Sequence, residues 1–216
     1  MIDIPESIKD IFNELKNQVI WVHTKWENYR QLFEASDTRL RLLNKCAHAF
    51  FLIIHNALIV DVLMSLSKLT DPAGKRKRKT LSFEQLQKQV KKNGDWGLAS
   101  KLSEILGKLK EKSEEIQNYR NKRLAHLDLD ITLKRAKLDN ITVKMIEEVL
   151  ALAGEYMNAI EGHYYQTEVL YEGVISSYGD GDALVAILKD GLRLKELVKA
   201  NRIPDDELFK GEWSAA

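Results

Sequence analysis

The sequence predicts an all-α protein: an up-and-down bundle of long helices over residues 1–166, followed by a small C-terminal helical extension over residues 167–216. Two observations carry that prediction. Apolar residues recur at gaps of three, four and seven over long stretches, which is the spacing that gives a helix one continuous buried face. Prolines number only three in 216 residues, so little interrupts those stretches. Hydrophobic residues make up 44% and charged residues 30%, a globular composition with enough length for a substantial core.

The first helix is expected to start at Pro5, a residue suited to a first helical position. Ile8, Ile11, Phe12, Leu15, Val19, Val22, Trp26, Tyr29 and Phe33 keep to one face, with Leu32 beside it. Ser36-Asp37 offers a cap, and a second helix runs to about Leu69. Residues 46–60 are apolar nearly all round, the pattern of the central helix of a bundle. His48 and His55 in this helix lie about 10 Å apart along its axis, too far to share a metal ion, and read as core or interface histidines. Asn56 and Asp61 need polar partners, and helix–helix hydrogen bonding is the expected use.

Asp71-Pro72-Ala73-Gly74 ends the second helix. Lys75, Arg76, Lys77, Arg78 and Lys79 follow; five adjacent like charges cannot pack together, so the run is an exposed loop. It reads either as a phosphate-contacting finger for RNA or as a solvated loop. Ser82 to Gln85 forms a capping box for a short helix ended by Asn93-Gly94. Asp95 caps a long helix from Trp96, whose stripe is Leu98, Leu102, Ile105, Leu109 and Ile116. After a polar connection, Asn140 is expected to cap a helix bearing Val143, Ile146, Leu150, Ala153, Met157, Ile160 and Tyr164. In the C-terminal extension, Gly179-Asp180-Gly181-Asp182 turns and caps a helix whose face is Leu184, Leu188, Leu192 and Leu197 or Val198. Its two aspartates resemble the start of a calcium loop, but the remaining ligands are missing, so a cap is expected.

Several classes of function are excluded or disfavoured. A net charge of +1 argues against capture of nucleic acid by the whole surface, leaving local patches. Residues 1–6 have neither the basic start nor the apolar core of a signal peptide. The apolar run at residues 49–60 is too short to span a bilayer, so no membrane partner is expected. The single cysteine, Cys46, rules out an internal disulfide and fits the reducing cytoplasm. No spacing of cysteines or histidines marks a metal site, and no cofactor is expected.

The stretch that invites chemistry runs from Tyr119 to Asp128. At 100° per residue, Arg120 falls about 40° to one side of Ile116 and Arg123 about 20° to the other. Two guanidinium groups therefore occupy a stripe whose pattern calls for leucine. An unpartnered buried arginine is costly, so this face must end in an acidic contact or an anion site. His126 lies on its flank.

Arg120-Asn121, with His126 after five intervening positions, resembles the signature of HEPN-superfamily ribonucleases. Arg41 and His48 meet the loose spacing, but apolar Leu42 follows that arginine where the signature has a polar residue. Leu66-Ser67-Lys68-Leu69-Thr70-Asp71-Pro72, Leu81-Ser82-Phe83-Glu84 and the stretch from Arg120 to Asp128 extend the resemblance to the AbiU-type abortive-infection branch. It covers roughly residues 5 to 166.

The resemblance implies metal-independent RNA cleavage in phage defence or a toxin–antitoxin system, in which a 2′-hydroxyl attacks the adjacent phosphate. An imidazole with a pKa near 6.5 can move protons to and from the reacting oxygens. An arginine can neutralise the charge developing on the phosphorane. Arg120 is assigned to the phosphate, His126 to acid–base work, and Asn121 to orienting the phosphate or the imidazole. Arg123 and the basic run from Lys75 to Lys79 are further phosphate contacts. Tyr119 is assigned to packing, and Asp128 either holds His126 or ends the helix. Along one helix Arg120 and His126 are about 9 Å apart and point in different directions. The resemblance resolves this with a homodimer whose two motif helices share a cleft.

Three other readings stay open. One is a catalytically silent HEPN domain that binds nucleic acid or a partner. Another is a toxin whose nucleotidyltransferase antitoxin modifies a tyrosine just beyond the histidine, although Asp128 stands where that tyrosine belongs. The third is a structural helical protein in which Arg120 and His126 pair with acids.

Overall fold

Pro5 stands just before the first helix, and its carbonyl accepts that helix's first bonds, from Ile8 N at 2.8 Å and Lys9 N at 3.0 Å. The computed structural model describes residues 3–75, 78–121, 141–173 and 179–204. The elements are α1 (Glu6–Tyr29), a π-helical turn (Arg30–Glu34), α2 (Asp37–Leu69), β1 (Gly74–Lys75), β2 (Arg78–Lys79), α3 (Phe83–Lys92), α4 (Trp96–Lys112), α5 (Glu114–Tyr119), α6 (Val143–Ile160), a second π-helical turn (Glu161–Tyr165) and α7 (Gly181–Lys199). The protein is all-α, and β1 and β2 form only a two-residue antiparallel ladder. The chain folds as two compact units, one of Met1–Trp26 with Leu58–Ile175 and one of Glu27–Ala57 with Ser176–Ala216.

In the first unit the predicted stripe of α1 is the core: Ile8, Phe12, Leu15, Val19 and Val22 are all buried. Leu66 of α2, Phe83 and Leu86 of α3, Leu102 and Leu109 of α4 and Ile116 of α5 join them. Each contributes on the order of 1.5–3 kcal/mol of apolar burial. Helix α4 packs against both α3 and α6. Tyr156 of α6 is buried; its ring stacks on Phe83 at 4.5 Å and its hydroxyl donates to Phe83 O at 2.8 Å, satisfying the polar end. Asp61 finds its partner in Lys25 of α1 at 2.6 Å, the inter-helix contact expected of it.

The expected caps are present at four helices, with Ser36 Oγ accepting from Arg39 N at 3.2 Å at α2. Ser82 Oγ accepts from Gln85 N, Asp95 Oδ1 from Leu98 N, and Asp180 Oδ1 from Ala183 N. At α6 the cap is Thr142, whose Oγ1 accepts from Met145 N at 3.2 Å, two residues beyond the expected Asn140. Asn140 itself lies outside the described residues.

In the second unit the π-helical turn buries consecutive Leu32 and Phe33. Gly181 sits against that turn: a Cβ there would lie 2.9 Å from Gln31 Cβ and 3.1 Å from Leu32 Cγ, so only glycine allows the approach. Gln31 Nε2 donates to Asp180 Oδ2 at 3.0 Å, and Arg39 pairs with Asp182 at 2.5 Å. On α7 the buried residues are Gly181, Val185 and Val198; Leu184, placed inward by the sequence pattern, is 38% exposed. Val198 belongs to the expected face, and at the start of the helix Val185 is buried in place of Leu184.

The largest departure from the sequence reading is at residues 46–60. These were expected to be the buried centre of a bundle, yet Phe50, Leu52 and Ile53 are 56%, 53% and 65% exposed. Only Leu43 and Phe51 anchor this part of α2, and Ala47 departs from helical geometry at φ −162°, ψ 71°. His48 is likewise outside the core, exposed and bonded to Asn44 Oδ1 at 2.9 Å. His55 is half-buried, 3.1 Å from the Tyr29 hydroxyl and edge-on to Phe33. The apolar segment is also longer than residues 49–60: by length and composition α2 is able to cross a membrane, with a mean hydropathy of 2.1 in its most apolar window, 22% of it buried.

Candidate functional site

The helix expected to run unbroken from Trp96 into the motif is interrupted at Ser113, where φ −90° and ψ 0° separate α4 from α5. Ser113 is buried, and its N–H donates to Leu109 O at 2.9 Å while its carbonyl accepts from Gln117 N at 2.9 Å. Hydrogen bonding thus carries across the break, and Leu109 and Ile116 still share the core. Helix α5 is short, and Arg120 and Asn121 continue it with π-helical geometry.

Two side chains fasten this short helix to the end of α2. Gln117 Nε2 donates to Ser67 O and to Thr70 Oγ1, each at 2.8 Å, and Ser67 Oγ donates to Gln117 Oε1 at 2.8 Å. Ser67 and Thr70 are buried, and a helix C-terminus leaves carbonyls in need of donors. Gln117 supplies one. Three positions on, Arg120 Nη1 contacts both carboxylate oxygens of Asp71, each at 3.0 Å. Arg120 Nε donates to Asn121 Oδ1 at 3.1 Å. The side chains of Arg120 and Asp71 are 22% and 21% exposed, so the pair is largely shielded but open on one side. The acidic contact required of an arginine on an apolar stripe is therefore Asp71.

The sequence places Asp71 at a helix stop and within the segment that carries the resemblance, but not beside Arg120. Its signal was the unmet need of Arg120 for an acid, but the two residues are 49 positions apart. Spacing within one helix cannot select among acids at that distance. Arg123 and His126 lie outside the described residues, as do Arg76, Lys77 and the side chains of Lys75 and Arg78. The backbone on either side of residues 76 and 77 pairs as a short antiparallel ladder, with Gly74 opposite Lys79 and Lys75 opposite Arg78. Gly74 adopts φ +73°, a left-handed conformation that favours glycine, and Lys79 is exposed. The ends of the charged run are thus paired, where the sequence predicts a plain loop.

Other polar clusters of the first unit serve packing. Glu84 bridges Lys88 and Lys110, each at 2.7 Å, and the hydrogen bond from Lys110, then that from Lys88, lowers its pKa to about 2. Burial lowers His23 to about 4, holding it neutral inside α1, against a smaller opposing contribution from its hydrogen bond with the Leu150 backbone.

A motif helix stitched to the end of α2 through Gln117 and Arg120 unites two of the segments that carried the resemblance. The family model HEPN_AbiU2, described as AbiU2, matches residues 5–184. No curated protein and no solved structure matches the chain. The match spans most of the sequence, from the start of α1 into α7, and the chain belongs to the HEPN_AbiU2 family.

Proposed function

We propose that this protein is a metal-independent endoribonuclease of the HEPN type, acting in abortive infection or a toxin–antitoxin system. The observation that carries the reading is Arg120: a guanidinium held at the end of α5 with Asn121 beside it, in a chain of this family. Arg120 stabilises the phosphorane as the 2′-hydroxyl attacks, and His126 takes or returns the proton on the reacting oxygens. Asn121 orients the phosphate or the imidazole, and Arg123 adds a second cation. The products are a 2′,3′-cyclic phosphate and a 5′-hydroxyl.

The site is proposed to form across a homodimer, the arrangement the resemblance implies, in which two copies of the motif share one cleft. The exposed apolar side chains of α2, Phe50, Leu52 and Ile53, supply surface for self-association. The basic run from Lys75 to Lys79 adds phosphate contacts outside the cleft.

A silent HEPN domain is the competing reading, and the pairing of Arg120 with Asp71 favours it, since a partnered arginine needs no ligand. Incubation of purified protein with total cellular RNA in EDTA separates the two. New RNA ends with wild type but not with His126→Ala support the enzyme; intact RNA with both supports the silent domain.

A further inference from the structure

We propose that Asp71 is a positioning residue for Arg120, anchoring the guanidinium so that its Nε/Nη2 edge receives the RNA phosphate when Asn121 yields. This rests on the phosphate-binding role proposed above for Arg120. A guanidinium grips an oxyanion through two parallel N–H groups, on either the Nη1/Nη2 edge or the Nε/Nη2 edge. In the structure each edge already has one of its nitrogens in contact. Asp71 holds Nη1 with both oxygens at 3.0 Å, and Asn121 Oδ1 holds Nε at 3.1 Å. Among the described residues, Nη2 has no partner. A bidentate grip on the Nε/Nη2 edge therefore requires the Asn121 contact to leave, whereas one on the Nη1/Nη2 edge sets the phosphate beside the Asp71 carboxylate, like charge against like.

The two contacts differ in kind. The Asp71 contact joins opposite charges whose side chains are each about four-fifths shielded from water. Releasing it strands a carboxylate and a guanidinium where neither regains full solvation. The Asn121 contact is neutral on the amide side, and Asn121 is exposed, so water replaces the lost bond. Asn121 is the contact that yields.

Asp71 is also held in place by the fold. Its N–H donates to Lys68 O at 3.3 Å, the neighbouring Thr70 is buried, and Pro72 follows with a fixed φ. Gln117 ties the same turn of α2 to α5 with three hydrogen bonds of 2.8 Å. The guanidinium plane is thus set by a rigid acid before substrate arrives, which reduces what binding must order.

The test uses the full-length protein, a 2′-O-methyl uridine dodecamer as a non-cleavable probe, and the corresponding RNA dodecamer for turnover. Asp71→Asn keeps the shape and removes the charge. It should weaken dodecamer binding about tenfold and slow cleavage by a similar factor or more. In an Arg120→Ala background the same substitution should add less than about twofold, because Asp71 acts only through Arg120. The side-chain Nε–Hε NMR signal of Arg120 should shift on adding the dodecamer to wild type and shift far less in Asp71→Asn. Should Asp71→Asn fold poorly, Asp71→Ser, judged by the same Arg120 cycle, replaces it. Unchanged or tighter binding by the Asp71 variant overturns the proposal, as does an Asp71 effect that persists without Arg120. Absence of dodecamer binding by wild type overturns it as well. If wild type cuts no RNA, yet Asp71→Asn weakens binding only when Arg120 is present, the ribonuclease reading fails and the role of Asp71 stands. If Arg120→Ala abolishes cleavage and Asp71→Asn does not, the reverse holds.

Discussion

Replacing Gln117 with alanine removes the clamp between the end of α2 and the motif helix. Three hydrogen bonds of 2.8 Å disappear together. A net contribution of about 1 kcal/mol per bond makes the loss about 3 kcal/mol. Two corrections work in opposite directions. Ser67 is 0% and Thr70 5% exposed, so their freed polar atoms gain little from water. Thr70 Oγ1 retains its bonds to the carbonyls of Leu66 and Ser67, which limits the cost. The expected destabilisation is therefore about 2–4 kcal/mol, a large share of a typical domain stability. Urea unfolding followed by far-UV circular dichroism measures it as a lower midpoint with an unchanged slope. Exposed Lys101→Ala on α4 serves as the control and should stay within about 0.5 kcal/mol of wild type. A Gln117→Ala midpoint equal to that of the control would refute the claim that Gln117 fastens the motif helix.

The remaining predictions concern pH and salt. His23 is held near 4 in the folded protein and titrates near 6.5 when unfolded, so the unfolded chain takes up the proton first. Stability should be full above pH 6.5, fall by about 3 kcal/mol as pH drops toward 4, and lose that part of its slope in His23→Gln. Glu84 has the opposite chemistry and the same direction. Its folded pKa of about 2 lies below the ordinary 4.5, so its contribution is present above pH 4.5 and is lost on acidification toward pH 2. Glu84→Gln should flatten this lower limb in acid titrations of stability, by roughly 1 kcal/mol given its solvent screening. Replacing all five basic residues from Lys75 to Lys79 with serine should weaken RNA binding and flatten its dependence on salt, without changing the unfolding midpoint. An unchanged slope would return the run to a solvated segment.

What the sequence revealed, and what it hid, follows from the range of each interaction. Caps depend on three or four consecutive residues, so Ser36, Ser82, Asp95 and Asp180 were readable, while Thr142 caps the helix for which Asn140 was expected. The stripe of α1 was readable because one periodic face meets one core. The break at Ser113 was hidden because it leaves the spacing from Leu109 to Ile116 intact. The apolar segment of α2 shows the limit of periodicity: a helix apolar on all sides states that it needs cover but not what covers it. The same holds at the candidate site. Arg120 announced a need for an acid, while Asp71, 49 residues earlier, could be assigned only once the fold joined the two helix ends.

Cleavage of a single RNA dodecamer in EDTA tests the ribonuclease proposal most directly, with a matched strand carrying one 2′-deoxy nucleotide at the mapped cleavage position. The account predicts a 2′,3′-cyclic phosphate and a 5′-hydroxyl from the RNA strand and no product from the deoxy strand, with His126→Ala slower by about 10² to 10⁴. Cleavage that stops in EDTA, products bearing 5′-phosphates, or equal cutting of the deoxy strand would contradict it.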